Sequence, residues 1–300
     1  MIPLTEMRNA FFMSPPPKRS THVYKLDRVL RISAIALTLA ATPAASSDRA
    51  LARYQPFILF EGTPVAVDTG GDTAIERSAK AFLTQSHTLW LLGRGARALI
   101  APDGYLAHWY MSKAIVVSAG PTWLAEGPVI FDFAGGTVRV GSLSRATAID
   151  AFVNRSYPFV AMRFDNDRHV CLFDTGSVGR LSATALRSLG GPELQAVNTL
   201  DARTFDRLAG AHPGWVVPQA TAAIPEDKGT DDAALLVVPA VTSATAVYRN
   251  VLFVRRRQTR TFDELTAQTG TRVDCDAGGA LFRKSLVELD LQKGKLWVSQ

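Results

Sequence analysis

Three hundred residues with 47% hydrophobic and 20% charged side chains describe a globular chain of one large or two medium domains, and they exclude a disordered polyelectrolyte. The formal net charge is +6, but residues 1–46 hold six Lys and Arg against two Asp and Glu, which leaves 27 basic and 25 acidic residues, a net of +2, in the remainder. The overall basicity therefore owes much to the first segment and implies no polyanionic partner.

That first segment has the pattern of a signal peptide. Lys18, Arg19, Lys25, Arg28 and Arg31 form a basic region, Ile32 to Ala41 is apolar, and Thr42-Pro43-Ala44-Ala45-Ser46 supplies small residues for cleavage after Ala44 or Ser46. The expectation is an exported protein, periplasmic or secreted, with no membrane attachment once the leader is removed. A retained leader would be an anchor, because its apolar run is too short to span a bilayer.

Next, Pro56 to Phe60, a Glu61-Gly62-Thr63-Pro64 turn and Val65 to Val67 predict a hairpin whose second strand ends in Asp68-Thr69-Gly70. An apolar residue returns at Ile75, and a short helical stretch runs through Leu83. Thr88 to Leu92 and Lys113 to Val117 read as strands. Gly93 to Ala98 nearly fits a dinucleotide fingerprint but lacks the third glycine and a following helix, so it reads as a turn. Ala101-Pro102-Asp103-Gly104-Tyr105 is a hairpin turn signal. Val129 to Val140 reads as two strands about a tight turn, and Ser142 to Arg155 as a connecting segment.

The second half repeats these signals in the same order. Pro158 to Met162, a polar Asp165-Asn166-Asp167-Arg168 turn and Val170 to Phe173 lead into Asp174-Thr175-Gly176, with Leu181 and a helical stretch to Leu189 after it. Val287 to Val298 aligns without gaps to Val129 to Val140 on the pattern V-x-h-D-h-x-x-G-x-h-x-V, where h is apolar. At average usage such a tripeptide should occur about 0.06 times in a chain this long, so two copies in matching surroundings indicate a duplication. Pro192 to Asp232 reads as loop with some β structure, carrying Pro213, Pro218, Pro225 and the polar run from Glu226. Tyr248 to Phe253 reads as a strand continued by Arg255-Arg256-Arg257, a basic run taken as a solvated edge rather than a nucleic-acid patch. No G-x-S-x-G elbow is present, and the five histidines lack metal-ligand spacing.

The paired Asp-Thr-Gly motifs behind apolar strands, with the closing hairpins, resemble the pepsin-like and retropepsin-like aspartic proteases over about residues 52 to 300. The resemblance implies an all-β, two-lobed fold, each lobe a β-barrel-like unit carrying one Asp-Thr-Gly loop, with an N-terminal lobe at 47–143, a linker at 144–155 and a C-terminal lobe at 156–300. It implies an endopeptidase in which Asp68 and Asp174 activate a water, Thr69 and Thr175 tie the loops together, and Gly70 and Gly176 let the backbone pass close. It also implies a polypeptide substrate, no cofactor and no metal, and a monomer, since one chain carries both motifs. Tyr105 is the candidate aromatic residue of a covering hairpin. Gly279, and less well Gly120, match the family's apolar-apolar-Gly signature. Cys171 and Cys275 are either a disulfide or two buried thiols. The family commonly has Ser, Thr or Ala after the glycine. Here the second copy has Ser177 and the first has Gly71, then Asp72, whose like charge is expected to favour activity at a less acid pH than pepsin's. The competing expectations are a non-catalytic peptide binder with the same cleft, a retropepsin-like homodimer, and a β-rich protein in which Asp-Thr-Gly only makes turns.

Overall fold

The computed structural model describes residues 50–84, 87–225 and 232–299. The predicted leader at 1–46 lies outside them, as does most of the polar run at 226–232. The described chain is mostly β, with short helices.

The two Asp-Thr-Gly segments are delivered by hairpins of one design. Strands β1 (Phe57–Phe60) and β2 (Thr63–Val67) pair across Glu61 and Gly62, both with positive φ (49° and 79°). A two-residue turn with both central residues left-handed matches the twist of the flanking strands. From there the chain forms β3 (Ala74–Glu76), a 3-10 turn at Arg77–Phe82, and the hairpin β4 (Thr88–Leu91) and β5 (Arg94–Arg97). Strand β6 (Leu99–Ala101), helix α1 (Tyr105–Trp109), β7 (Val117–Ala119), helix α2 (Pro121–Leu124) and the hairpin β8 (Val129–Asp132) and β9 (Thr137–Val140) follow. The connecting segment contains β10 (Thr147–Ala148) and β11 (Ala151–Asn154) rather than plain linker.

In the second half β12 (Tyr157–Phe164) and β13 (Asp167–Phe173) again pair about two left-handed residues, Asp165 (54°) and Asn166 (61°). Then come β14 (Val178–Leu181) and helix α3 (Ala183–Leu189), which starts on a Ser182 cap and stops at Gly190 with φ 69°. The remaining elements are β15 (Leu194–Ala196), β16 (Asn198–Asp201), helix α4 (Ala202–Ala211), β17 (Val216–Ala223), β18 (Ala233–Ser243), β19 (Ala246–Arg256), helix α5 (Arg260–Thr269), β20 (Cys275–Ala277), β21 (Leu286–Asp290) and β22 (Lys295–Ser299).

These strands form two ten-stranded sheets. The first has the order β10-β22-β21-β8-β9-β1-β2-β7-β3-β6, and the second β11-β12-β13-β20-β16-β19-β18-β17-β14-β15, with one further pairing of β12 to β18 that curls it. Sheet membership departs from the expected division at residue 156. The closing hairpin β21–β22 belongs to the first sheet, where β21 runs antiparallel to β8, and the bridge Arg53 to Gln195 carries the start of the described chain to the second. The two closing hairpins meet as symmetry mates. Phe131 pairs with Val287 and Val129 with Leu289, which in the sequence alignment is one residue pair counted in both directions. Self-complementary contact of this kind is what a two-fold axis between two copies produces.

Several local expectations are corrected. Residues 101–105 enter α1 and make no hairpin, because Asp103 accepts the Ser78 N–H and Gly104 takes φ 82° before the helix. The strand expected at 113–117 begins only at Val117. Helix α4 lies where loop was expected. Its Phe205 and Leu208 are buried, and Pro213 and Pro218 come after its end, Pro218 at a register irregularity of β17. Arg255 and Arg256 are no solvated edge, since β19 lies between β16 and β18, Arg256 is buried against Asp276, and Arg255 clasps Asp206 through two bonds of 2.8 Å, while Arg257, past the strand, is exposed.

The core is continuous between the sheets. Phe131 and Phe133 from the first closing hairpin, Phe173 at the end of β13, and Phe282 are each fully buried and lie ring to ring at 5.4–6.4 Å. Behind Asp174, Cys171 and Cys275 face each other on β13 and β20 and are joined by a disulfide that closes a loop of 104 residues. Opening it by a Cys171→Ala, Cys275→Ala double substitution should lower stability by about 2–5 kcal/mol, read as a lower urea midpoint with a steeper slope, because the unlinked chain exposes more surface when unfolded.

Candidate functional site

Each Asp-Thr-Gly tripeptide leaves its sheet in the same way. β2 pairs in parallel with β7, and the Asp68 N–H donates to Ala119 O at 3.0 Å. β13 pairs in parallel with β20, and the Asp174 N–H donates to Ala277 O at 3.1 Å. The residue after each of these partner strands is a glycine, Gly120 and Gly278. A Cβ on Gly120 would stand 2.5–2.6 Å from the backbone of residues 71 to 73, and one on Gly278 would overlie Val197 O. These are the equivalent glycines of the two halves. The expected second-half position, Gly279, is one residue too far along. Gly120 does take the first-half place.

Side by side, the two loops are locked through their threonines. The Thr69 N–H donates to Thr175 Oγ1 at 3.1 Å and the Thr175 N–H to Thr69 Oγ1 at 3.0 Å. Thr175 Oγ1 donates to Val67 O at 2.6 Å, and Thr69 Oγ1 donates to Phe173 O. Both side chains are fully buried. Each hydroxyl has one proton to give and can accept in return, and here each does both.

The lock sets the aspartates against one another's loops. A Cβ on Gly70 would lie 2.6 Å from Asp174 Cγ, and a Cβ on Gly176 would sit on the Asp68 carboxylate. Only glycine lets the loops approach this far. Both aspartates are half-buried, while the threonines between them are sealed, so the carboxylates are the reachable part of the junction. Asp68 Oδ1 accepts the N–H groups of Gly70 and Gly71, both at 2.9 Å, and Asp174 Oδ1 accepts the Gly176 N–H at 2.9 Å. Ser177 is buried behind the second loop, where its carbonyl accepts the Val197 N–H.

One site residue was missed in the sequence. Tyr110, 3% exposed, donates its hydroxyl to Asp68 Oδ2 at 2.7 Å and lies 2.7 Å from Ser118 Oγ. Burial first, and then the charge of Asp68, push this phenol well above the ordinary tyrosine range, so it remains a donor at any physiological pH. Its placement depends on Glu76, a buried carboxylate on β3 that accepts the N–H groups of Leu106 (2.8 Å) and Ala107 (3.3 Å) and so holds the start of α1. Tyr105, the expected covering residue, is on the same helix, packed edge-on against Trp109 and against the cluster around Leu106. A further hairpin of this half is β4–β5. It buries Leu89 and Leu91, turns Trp90 outward across Gly95, and leaves Trp90 53% and Leu92 49% exposed. A cavity of about 440 Å³ beside Tyr54, Tyr248 and Lys284 is lined by neither aspartate.

No protein-family model matches the chain, and no curated protein matches its sequence.

If the threonine lock is what joins the loops, Thr69→Val and Thr175→Val should each destabilise the protein by about 1–3 kcal/mol, the cost of leaving buried backbone groups without partners. Urea unfolding checks this, and a change below about 0.5 kcal/mol would mean that the lock carries little of the junction.

Proposed function

We propose that the chain is an aspartic endopeptidase of the pepsin-like and retropepsin-like kind, exported by its leader and active as one chain, with Asp68 and Asp174 as its catalytic pair. The observation that carries this reading is the reciprocal Thr69–Thr175 bonding, which presents two half-buried carboxylates side by side, each lying against the glycine of the opposite loop. A turn-making Asp-Thr-Gly has no need of a second copy bonded to it in both directions. On this reading the two sheets are the two lobes, and the closing hairpins form the shared base beneath the site.

Two carboxylates so placed cannot both ionise cheaply, so they share a proton and titrate as a pair. The ionised member takes a proton from a water as that water attacks the peptide carbonyl carbon, and the neutral member donates its proton to the carbonyl oxygen. The resulting gem-diol breaks its C–N bond as the nitrogen is protonated, giving a carboxylic acid and an amine. No covalent enzyme intermediate is formed.

On this reading the hairpin β4–β5, with Trp90 and Leu92 exposed, is taken as the covering element in place of residues 101–105. Trp90→Ala should raise KM several-fold with the fold intact, measured by steady-state cleavage of a peptide.

The deciding experiment is cleavage of an unfolded protein by the purified chain from acid to neutral pH, beside Asp68→Asn and Asp174→Asn. Wild-type cleavage with a loss of at least about a thousand-fold in both variants is the expected result. Equal cleavage by all three would assign the activity elsewhere. Binding of peptides without any cleavage would move the protein to the non-catalytic reading.

A further inference from the structure

The two tripeptide loops are alike up to their glycines and then diverge. The second continues into Ser177, the first into Gly71, which has no side chain to offer. A side chain there has no room either, because a Cβ on Gly71 would stand on the Asp68 carboxylate. Asp68 Oδ2 lies against Gly71 of its own loop and Gly176 of the other, and the hydroxyl that reaches it is that of Tyr110.

We infer that Tyr110, reaching Asp68 from a different element, is its positioning residue, and that Ser118 completes it as the second member of a proton-ordered chain. This rests on the reading of Asp68 and Asp174 as a working pair. Donor arithmetic fixes the direction of the chain. The Tyr110 hydroxyl has one proton and gives it to Asp68, so the 2.7 Å contact with Ser118 has Ser118 as donor and Tyr110 Oη as acceptor. Ser118 donating to Tyr110 polarises the phenol and strengthens its bond to the carboxylate. Ser118 sits on β7 next to Ala119, whose carbonyl receives the Asp68 N–H, so one strand holds both the backbone and the side chain of Asp68.

Asp68 thereby accepts three bonds, two from backbone N–H groups and one from a phenol. All three converge on one carboxylate, two on Oδ1 and one on Oδ2, and fix its orientation against the opposite loop. The ionisable groups around Tyr110 fit this role. Asp68 and Asp174 face it from the two loops, Glu76 on β3 is engaged with the helix start, and His108 lies on its own helix, in ring contact with Trp109. The charged groups opposite the phenol are thus both carboxylates, and a neutral donor is the only form of Tyr110 they tolerate.

Tyr110→Phe keeps the ring and removes the bond. The experiment is a titration of the chain with 13C at the aspartate Cγ positions, the pair assigned with Asp68→Asn and Asp174→Asn, run for wild type, Tyr110→Phe and Ser118→Ala. Losing a bond to the charged form raises the pH at which that form appears, so the lower midpoint of the pair should move up by about one pH unit in Tyr110→Phe, and by less, in the same direction, in Ser118→Ala. If the chain cleaves peptides, the acid limb of kcat against pH should move with it while KM stays unchanged. Superimposable wild-type and Tyr110→Phe titrations overturn the assignment even if the wild type is an active peptidase. A shifted midpoint in a chain that cleaves nothing overturns the peptidase reading and leaves the assignment of Tyr110 to Asp68 standing.

Discussion

Four backbone groups at the bottom of two neighbouring loops are sealed from water: the N–H groups of Thr69 and Thr175 and the carbonyls of Val67 and Phe173. Each would cost on the order of 1–3 kcal/mol if left unmade. Two threonine hydroxyls satisfy all four, because each accepts one N–H and donates to one carbonyl across the junction. Serine has the same donor and acceptor, but threonine's methyl stiffens χ1. The rest of the architecture serves this contact. The parallel pairings of β2 with β7 and β13 with β20 aim the loops, the glycines let them close, and the aromatic cluster of Phe131, Phe133, Phe173 and Phe282 backs them. The close approach of the two carboxylates is a consequence of satisfying the backbone beneath them.

The two halves are near copies in everything that builds the junction and differ in everything around it. Hairpin turns, tripeptides, closing hairpins and partner glycines correspond. The second half alone has α4, α5 and the disulfide. The first half alone has α1, whose start is held by Glu76 and whose end delivers Tyr110. Two carboxylates this close share one proton whether or not their surroundings match. The departures near Asp68, a glycine at position 71 and a phenol from α1, make the two environments unequal.

Much of this frame was legible because it repeats. Asp68 and Asp174 follow apolar strands at matching offsets, and the alignment of 129–140 with 287–298 found the hairpins that turn out to pair with each other. The turns at 61–64 and 165–168 were legible from their polar and glycine residues, and the structure narrows each to its first two residues. What was not legible depends on contacts distant in sequence. Tyr110 is 42 residues from Asp68, within a stretch whose helix is held by a buried glutamate on another strand rather than by its own capping residue. Residues 101–105 carry ordinary turn chemistry, and nothing local tells a hairpin turn from a turn into a short helix. Helix α4 was hidden by the prolines that follow it, though Phe205 and Leu208 at helical spacing were the available signal. Arg256 was misjudged because a basic run looks solvated until the buried Asp276 is found across the sheet.

The exchange of segments between the sheets has a consequence for how the chain is made. β8 has β9 on one side and β21 on the other, and β21 lies about 150 residues later. While the chain emerges from N- to C-terminus, the first sheet must carry an unfilled edge at β8 until the last described hairpin arrives. An open edge is a template for wrong pairing, and contacts of this sequence separation form slowly. The first half is therefore not an independent unit that folds and waits. A nascent chain carrying only one Asp-Thr-Gly loop lacks both the opposite threonine and the β21–β22 hairpin that completes the first sheet.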